Sequence, residues 1–204
     1  AFCGYIRRPI LDMSLVCCKS WKMLAPLIEK MHESDEALFN EVLMLFKSQD
    51  LEPVSLSELI PDSFCSESVL TNIVPSDVNI TDSFKAEKIF RKISNADLGQ
   101  SLVISNGLCL AVESILGTDL MLEFLGNLKK NKNHFWQGGV LYKRPKIGQN
   151  PFIDTPVIGQ KTVRMVKDAG LNGITLQSNK VIILDKGQTV KLAEKLGIFI
   201  WSKK

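Results

Sequence analysis

SLVISNGLCLAVESILGTDLMLEFL, residues 101–125, is the stretch from which the fold can be read. Two apolar runs, 101–105 and 109–113, flank Asn106-Gly107, a dipeptide that readily takes the positive φ angles of a tight hairpin turn. Gly117-Thr118-Asp119 then opens a helix-periodic run over 119–125, so a hairpin feeds directly into a helix. Downstream, strand-like runs at 139–142, 173–176, 181–184 and 198–201 alternate with helical patterns at 160–169 and 188–196; a further helical pattern over 76–95 precedes the hairpin. Strands alternating with helices predict an α/β layered domain.

Upstream the pattern changes. Trp21, Leu24, Leu27, Ile28 and Met31 recur at helical spacing, and Ser34 with Asp35 and Glu36 starts a second helix whose stripe is Leu38, Val42 and Leu45. Residues 49–75 are rich in proline, serine and threonine and lack periodicity, as a linker would. Ala1-Phe2-Cys3-Gly4 reads as the end of a strand running into a turn. The predicted organisation is therefore an incomplete N-terminal α/β part with its linker over 1–74, followed by a mixed α/β C-terminal domain over 75–204. An incomplete first sheet would expose an edge at Phe2 to Ile6, which predicts pairing with a second copy as a homodimer.

The chain has 204 residues, 45% hydrophobic and 23% charged, which fits a globular protein and excludes disordered, collagenous and coiled-coil classes. No apolar stretch approaches the ~18 residues of a membrane span, and the opening lacks the layout of a signal peptide; a soluble cytoplasmic protein is expected. The five cysteines contain no C-x-x-C pair, so they are read as small buried hydrophobes in a reducing compartment. With only His32 and His134, the latter in a lysine- and asparagine-rich run, carboxylates or a metal are better placed than a histidine base to do chemistry. The net charge of +3 is local: between Glu123 and Asp154 there is no acid and there are six bases, Lys129, Lys130, Lys132, Lys143, Arg144 and Lys146. That distribution suits a phosphate-bearing ligand better than a long polyanion, and nucleic-acid binding is not expected.

Several positions could carry phosphate chemistry. Gly117-Thr118-Asp119 makes Thr118 a natural N-cap, with backbone N–H groups able to hold a phosphate oxygen; simple capping is the alternative. Gly159-Gln160-Lys161-Thr162 offers a similar helix start. It is not a P-loop, because neither required glycine is present. In Gly138-Gly139-Val140-Leu141-Tyr142-Lys143-Arg144-Pro145-Lys146 a glycine pair opens an apolar strand that delivers bases at its far end, where α/β sheets bind ligands. Asp154, between apolar neighbours and two prolines, is suited to bind a metal or orient a water, with Glu113 and Asp119 as co-ligands for a hard cation such as Mg²⁺. A turn or cap aspartate is the plainer alternative.

Asp97-Leu98-Gly99-Gln100, GLCLAVES (107–114), GTD (117–119), GGVLYKRPKIGQ (138–149) and DTPVIG (154–159) run in one order and spacing with the ending from Ala169-Gly170-Leu171 to Gly197-Ile198. Together they resemble the LpxI family of UDP-2,3-diacylglucosamine pyrophosphatases over residues 76–204. Gly4 with Arg8-Pro9 resembles the family's G-x-x-x-R-P turn. The resemblance implies a Mg²⁺-dependent hydrolase of lipid A biosynthesis, cleaving UDP-2,3-diacylglucosamine to UMP and 2,3-diacylglucosamine 1-phosphate at the inner face of the cytoplasmic membrane as a peripheral protein. It also implies a nucleotide-fold-like N-terminal domain and a catalytic C-terminal domain with substrate between them. By the same resemblance Asp154 is the catalytic aspartate; Gly117, Thr118, Lys143, Lys146, Gln149, Gln100 and Arg8 meet the substrate; and Glu113 and Asp119 serve the metal. Leu116 and Phe152, which stand where the family carries an acid and an arginine, support the alternative: a truncated, non-catalytic homologue that binds a nucleotide sugar or acyl-sugar phosphate.

Overall fold

The structure, a computed structural model, describes residues 12, 14, 16–32, 35–96, 98–132, 134–150, 152 and 154–204. The expected strand edge at 2–6, Arg8 and the Ser34 helix start lie outside the described residues. The chain divides into two compact units, 1–59 with 149–154, and 60–148 with 155–204.

The first unit contains α1 (Cys18–Glu29), α2 (Asp35–Lys47) and the short α3 (Leu56–Leu59). The Cys17 sulfur accepts the Ser20 N–H at the start of α1, and segment 149–154 joins this unit through Asn150, whose side-chain amide donates to Asn40 Oδ1 at 2.9 Å. Cys17, Cys18 and Cys109 are exposed. Of the four described cysteines only Cys65 is a buried hydrophobe as expected.

The second unit is an α/β layered fold. It runs β1 (Ser68–Val69), α4 (Asp77–Ile93), β2 (Ser101–Ser105), β3 (Leu108–Val112), α5 (Gly117–Lys130), β4 (Val140–Lys143), β5 (Val157–Ile158), α6 (Gln160–Asp168), β6 (Gly173–Gln177), β7 (Ile182–Ile183), α7 (Lys186–Leu196) and β8 (Phe199–Lys203). Six strands form one sheet in the order β1-β8-β6-β4-β2-β3, and β5 pairs with β7 separately. The β4, β6 and β8 strands are mutually parallel, while β2, β3 and β1 attach antiparallel.

Alternation along the central strands sends side chains to two cores. Val103, Leu141, Ile174 and Ile200 join Leu122, Leu125, Val163, Val166 and Ala193 of α5, α6 and α7. Leu102, Ile104 and Tyr142 meet Ala86 and Phe90 of α4 on the opposite face. A sheet covered on both faces reads as continuous apolar runs. The segment 60–74, marked as linker by composition, is built onto this sheet: β1 pairs with β8, Leu70 N–H donates to the Ile200 carbonyl at 2.9 Å and Ser202 Oγ donates to the Cys65 carbonyl at 3.0 Å. No described helix is long and apolar enough to cross a membrane.

The Asn106-Gly107 turn forms as predicted, with φ of 48° and 76°. It is held from α4, where the buried Asp82 carboxylate accepts the N–H groups of Asn106 at 2.9 Å and Gly107 at 2.7 Å. The same helix grips β8 through Glu87, which accepts from Lys203 Nζ at 2.5 Å and Arg91 at 2.8 Å; the Lys203 ammonium also lies 4.4 Å over the Phe84 ring. Burial works against the charged form of Glu87, but the hydrogen bonds and charges of Lys203 and Arg91 outweigh it and hold its carboxyl below the ordinary glutamate value. Its stabilising contribution is therefore complete above that ordinary value and lost as pH falls through the lowered folded value. Thermal denaturation should show the wild-type chain losing more melting temperature on acidification than Glu87→Gln; parallel acid limbs would remove Glu87 from the pH dependence.

Candidate functional site

The β2–β4 register places Ser101 opposite Lys143, and the Glu113 N–H donates to the Ser101 carbonyl at 2.9 Å. The start of β2, the end of β3 and the end of β4 thus meet at one edge, beside the start of α5. There Ser101 Oγ donates to Glu113 Oε2 at 2.5 Å, Thr118 Oγ1 donates to the same oxygen at 2.8 Å, and Lys143 Nζ donates to Thr118 Oγ1 at 2.6 Å. All four residues are buried, with relative exposures from 0% at Ser101 to 9% at Glu113. Buried charges of opposite sign joined through hydroxyls satisfy one another, which is what makes their desolvation tolerable.

Glycine at 99 is a condition of this arrangement. Its N–H donates to the Glu113 carbonyl at 2.8 Å, and a Cβ there would overlap the Cγ, Cβ and Cδ of Glu113. Gln100, half-buried, accepts the Arg144 N–H at its carbonyl. Strand alternation separates the bases: Lys143 faces α5, whereas Arg144 packs 5.6 Å over the Phe90 ring on the α4 side beside Tyr142, whose hydroxyl burial pushes upward in pKa. Lys146 is half-buried in the following loop, where Ile147 N–H donates to Ser94 Oγ at 2.7 Å.

One expectation changes. Thr118 is not the N-cap of α5: the helix begins at Gly117 after Leu116, with no side-chain cap bond. Ser114 serves the turn instead, its Oγ accepting from Leu116 N–H at 3.3 Å and its carbonyl from Gly117 N–H at 2.9 Å, which leaves the Thr118 hydroxyl for Glu113. Asp119 makes an exposed ion pair with Lys161 at 2.7 Å, between the starts of α5 and α6. Among the described residues no three His, Cys, Asp or Glu side chains gather as a metal site. With Glu113 accepting two hydroxyl protons and Asp119 paired, these residues do not by themselves form a Mg²⁺ ligand set.

In the first unit, Gln149 and Asp154 meet directly, the Gln149 amide donating to Asp154 Oδ2 at 3.0 Å. Glu113, Thr118 and Lys143 are thus assembled in one unit and Gln149 with Asp154 in the other; Gly117 stands at the head of α5. The sequence alone does not mark Ser101 and Gly99 as site residues. Their signal is the hairpin, which brings 101 back towards 113.

Residues 66–201 match the LpxI C-terminal domain family. The chain is also similar to a UDP-2,3-diacylglucosamine pyrophosphatase LpxI of Caulobacter vibrioides, 30% identical over 201 residues, a span covering 98% of this chain and 72% of the relative.

Proposed function

The chain belongs to the LpxI family, and from that premise we propose that it hydrolyses the diphosphate of UDP-2,3-diacylglucosamine to UMP and 2,3-diacylglucosamine 1-phosphate, a step of lipid A biosynthesis. The observation that carries this reading is the buried Lys143 ammonium at the end of a parallel strand, held through Thr118 by Glu113. A fixed cation in a low-dielectric strand end stabilises charge that develops on a phosphate in the transition state. Asp154 is the general base or water-orienting carboxylate, held through one oxygen by Gln149. Lys146 and Gln100 complete the substrate contacts, and Arg8 contributes from the N-terminal part. The diacyl substrate brings the protein to the inner face of the cytoplasmic membrane as a peripheral protein. Magnesium enters through the family resemblance and belongs in the assay; the steps given to Lys143 and Asp154 do not pass through it.

The test is UMP release from UDP-2,3-diacylglucosamine in detergent with Mg²⁺, for this chain and for a form extended upstream. Release sustains the reading. Binding without release, by folded protein of both lengths, selects the second reading, a non-catalytic ligand-binding homologue, which Leu116 and Phe152, standing where the family carries an acid and an arginine, favour. Lys143→Ala should weaken substrate binding by ~1.5–3 kcal/mol, the value of a hydrogen bond to a charged group, and flatten the salt dependence of affinity. An unchanged affinity would take Lys143 out of the site.

A further inference from the structure

We propose that Ser101 and Thr118 are positioning residues: a relay of two hydroxyls on the Glu113 carboxylate that aims the Lys143 ammonium, with Thr118 making no hydrogen bond of its own to the phosphate. The pyrophosphatase reading supplies the phosphate; the relay stands on the geometry alone.

Counting protons fixes the direction of each bond. The Lys143 ammonium has only protons to give, so at 2.6 Å it occupies a lone pair of Thr118 Oγ1. The single Thr118 proton then goes to Glu113 Oε2 at 2.8 Å, and the single Ser101 proton goes to the same oxygen at 2.5 Å. No proton remains for the Ser101–Thr118 approach of 3.4 Å. A phosphate offers acceptors only, and Thr118 has no proton left to donate to it. What Thr118 does is commit one of the three Lys143 protons and so set the direction of the ammonium. Ser101, fully buried, and Gly99, whose missing side chain leaves room for Glu113, fix the carboxylate on which the relay hangs. Because hydrogen bonds to charged groups contribute ~1.5–3 kcal/mol, loss of the relay corresponds to about a ten- to hundredfold effect.

The experiment is competitive acetylation of the folded chain with acetic anhydride, reading Lys143 against exposed Lys130 by peptide mass spectrometry, together with KM and kcat for UMP release. Thr118→Val should raise Lys143 reactivity about tenfold or more and raise KM more than it lowers kcat. Ser101→Ala should move both in the same direction by less, and Thr118→Ser should return most of what Thr118→Val loses. Unchanged Lys143 reactivity in Thr118→Val, or a Thr118→Ser variant as reactive as the valine one, overturns the relay. If circular dichroism shows Thr118→Val unfolded, Ser101→Ala decides alone: wild-type Lys143 reactivity there overturns the proposal and raised reactivity supports it. Absence of UMP release from both this chain and the upstream-extended form counts against the pyrophosphatase reading, whereas the labelling tests the relay separately.

Discussion

Asp154→Ala is expected to abolish UMP release, by at least about a hundredfold in kcat, the scale of a positioned acid or base, while substrate affinity stays near that of the wild-type chain. The carboxylate is exposed and anchored at one oxygen by the Gln149 amide, a geometry that orients without burying. Binding of the anionic substrate draws on cations, not on a carboxylate, so removing Asp154 costs rate and not affinity. Asp154→Asn, which keeps the shape and can still meet Gln149, should lose the same turnover because it cannot accept a proton from water. Isothermal calorimetry beside steady-state UMP release separates the two effects. If affinity and melting temperature fall with activity, Asp154 is structural; if Asp154→Asn turns over normally, the base lies elsewhere.

Gly139→Ala should produce the largest loss of stability. Gly139 has a φ of +118°, and a Cβ built there lies 2.5 Å from the Ile104 carbonyl oxygen and 2.8 Å from the Ser105 Cβ. The obstructing oxygen is backbone on a central strand whose next residue pair, Ile104 with Val140, belongs to the β2–β4 ladder, so it cannot move without opening that ladder. The Gly139 N–H also donates to Asn172 Oδ1 and its carbonyl accepts the Asn172 N–H, both at 2.8 Å. Backbone strain and overpacking each cost about 1–3 kcal/mol, and the shift in urea midpoint should report both. A change below about 1 kcal/mol would mean that the segment relaxes freely. Since β4 carries Lys143 at its other end, partial folding of this variant should also release Lys143 from Thr118.

Much of the second unit was legible along the chain. The turn chemistry of Asn106-Gly107, the helical stripes of 76–95 and 160–169, and the apolar runs that became β2, β3, β4, β6 and β8 all act over a few residues, where backbone preference and hydrophobic period suffice. The place of Lys143 was legible for the same reason: it ends the apolar strand β4. Short β1 and β5 carry two residues each and no period to detect. The pairing of Asp119 with Lys161 joins the starts of two helices 42 residues apart, which no local pattern announces.

The hairpin shows where local reading stops. A two-residue turn at 106–107 pairs Ser105 with Leu108 and Ile104 with Cys109, as observed, and carried on unbroken it would set Ser101 opposite Val112. Instead the register shifts between Ile104 and Val103, Leu110 is left over, and Val103 pairs with Ala111 and Leu102 with Val112. That single-residue bulge is what brings Glu113, not Val112, against Ser101. An uncharged run such as LCLAV can be buried in either register, so its pattern does not choose between them. Element order, turn type and strand-end chemistry follow from the chain itself, because they depend on neighbours in sequence. The relay from Ser101 through Glu113 and Thr118 to Lys143 depends on residues up to 42 positions apart, and it exists only because packing of the whole sheet selects the bulged register.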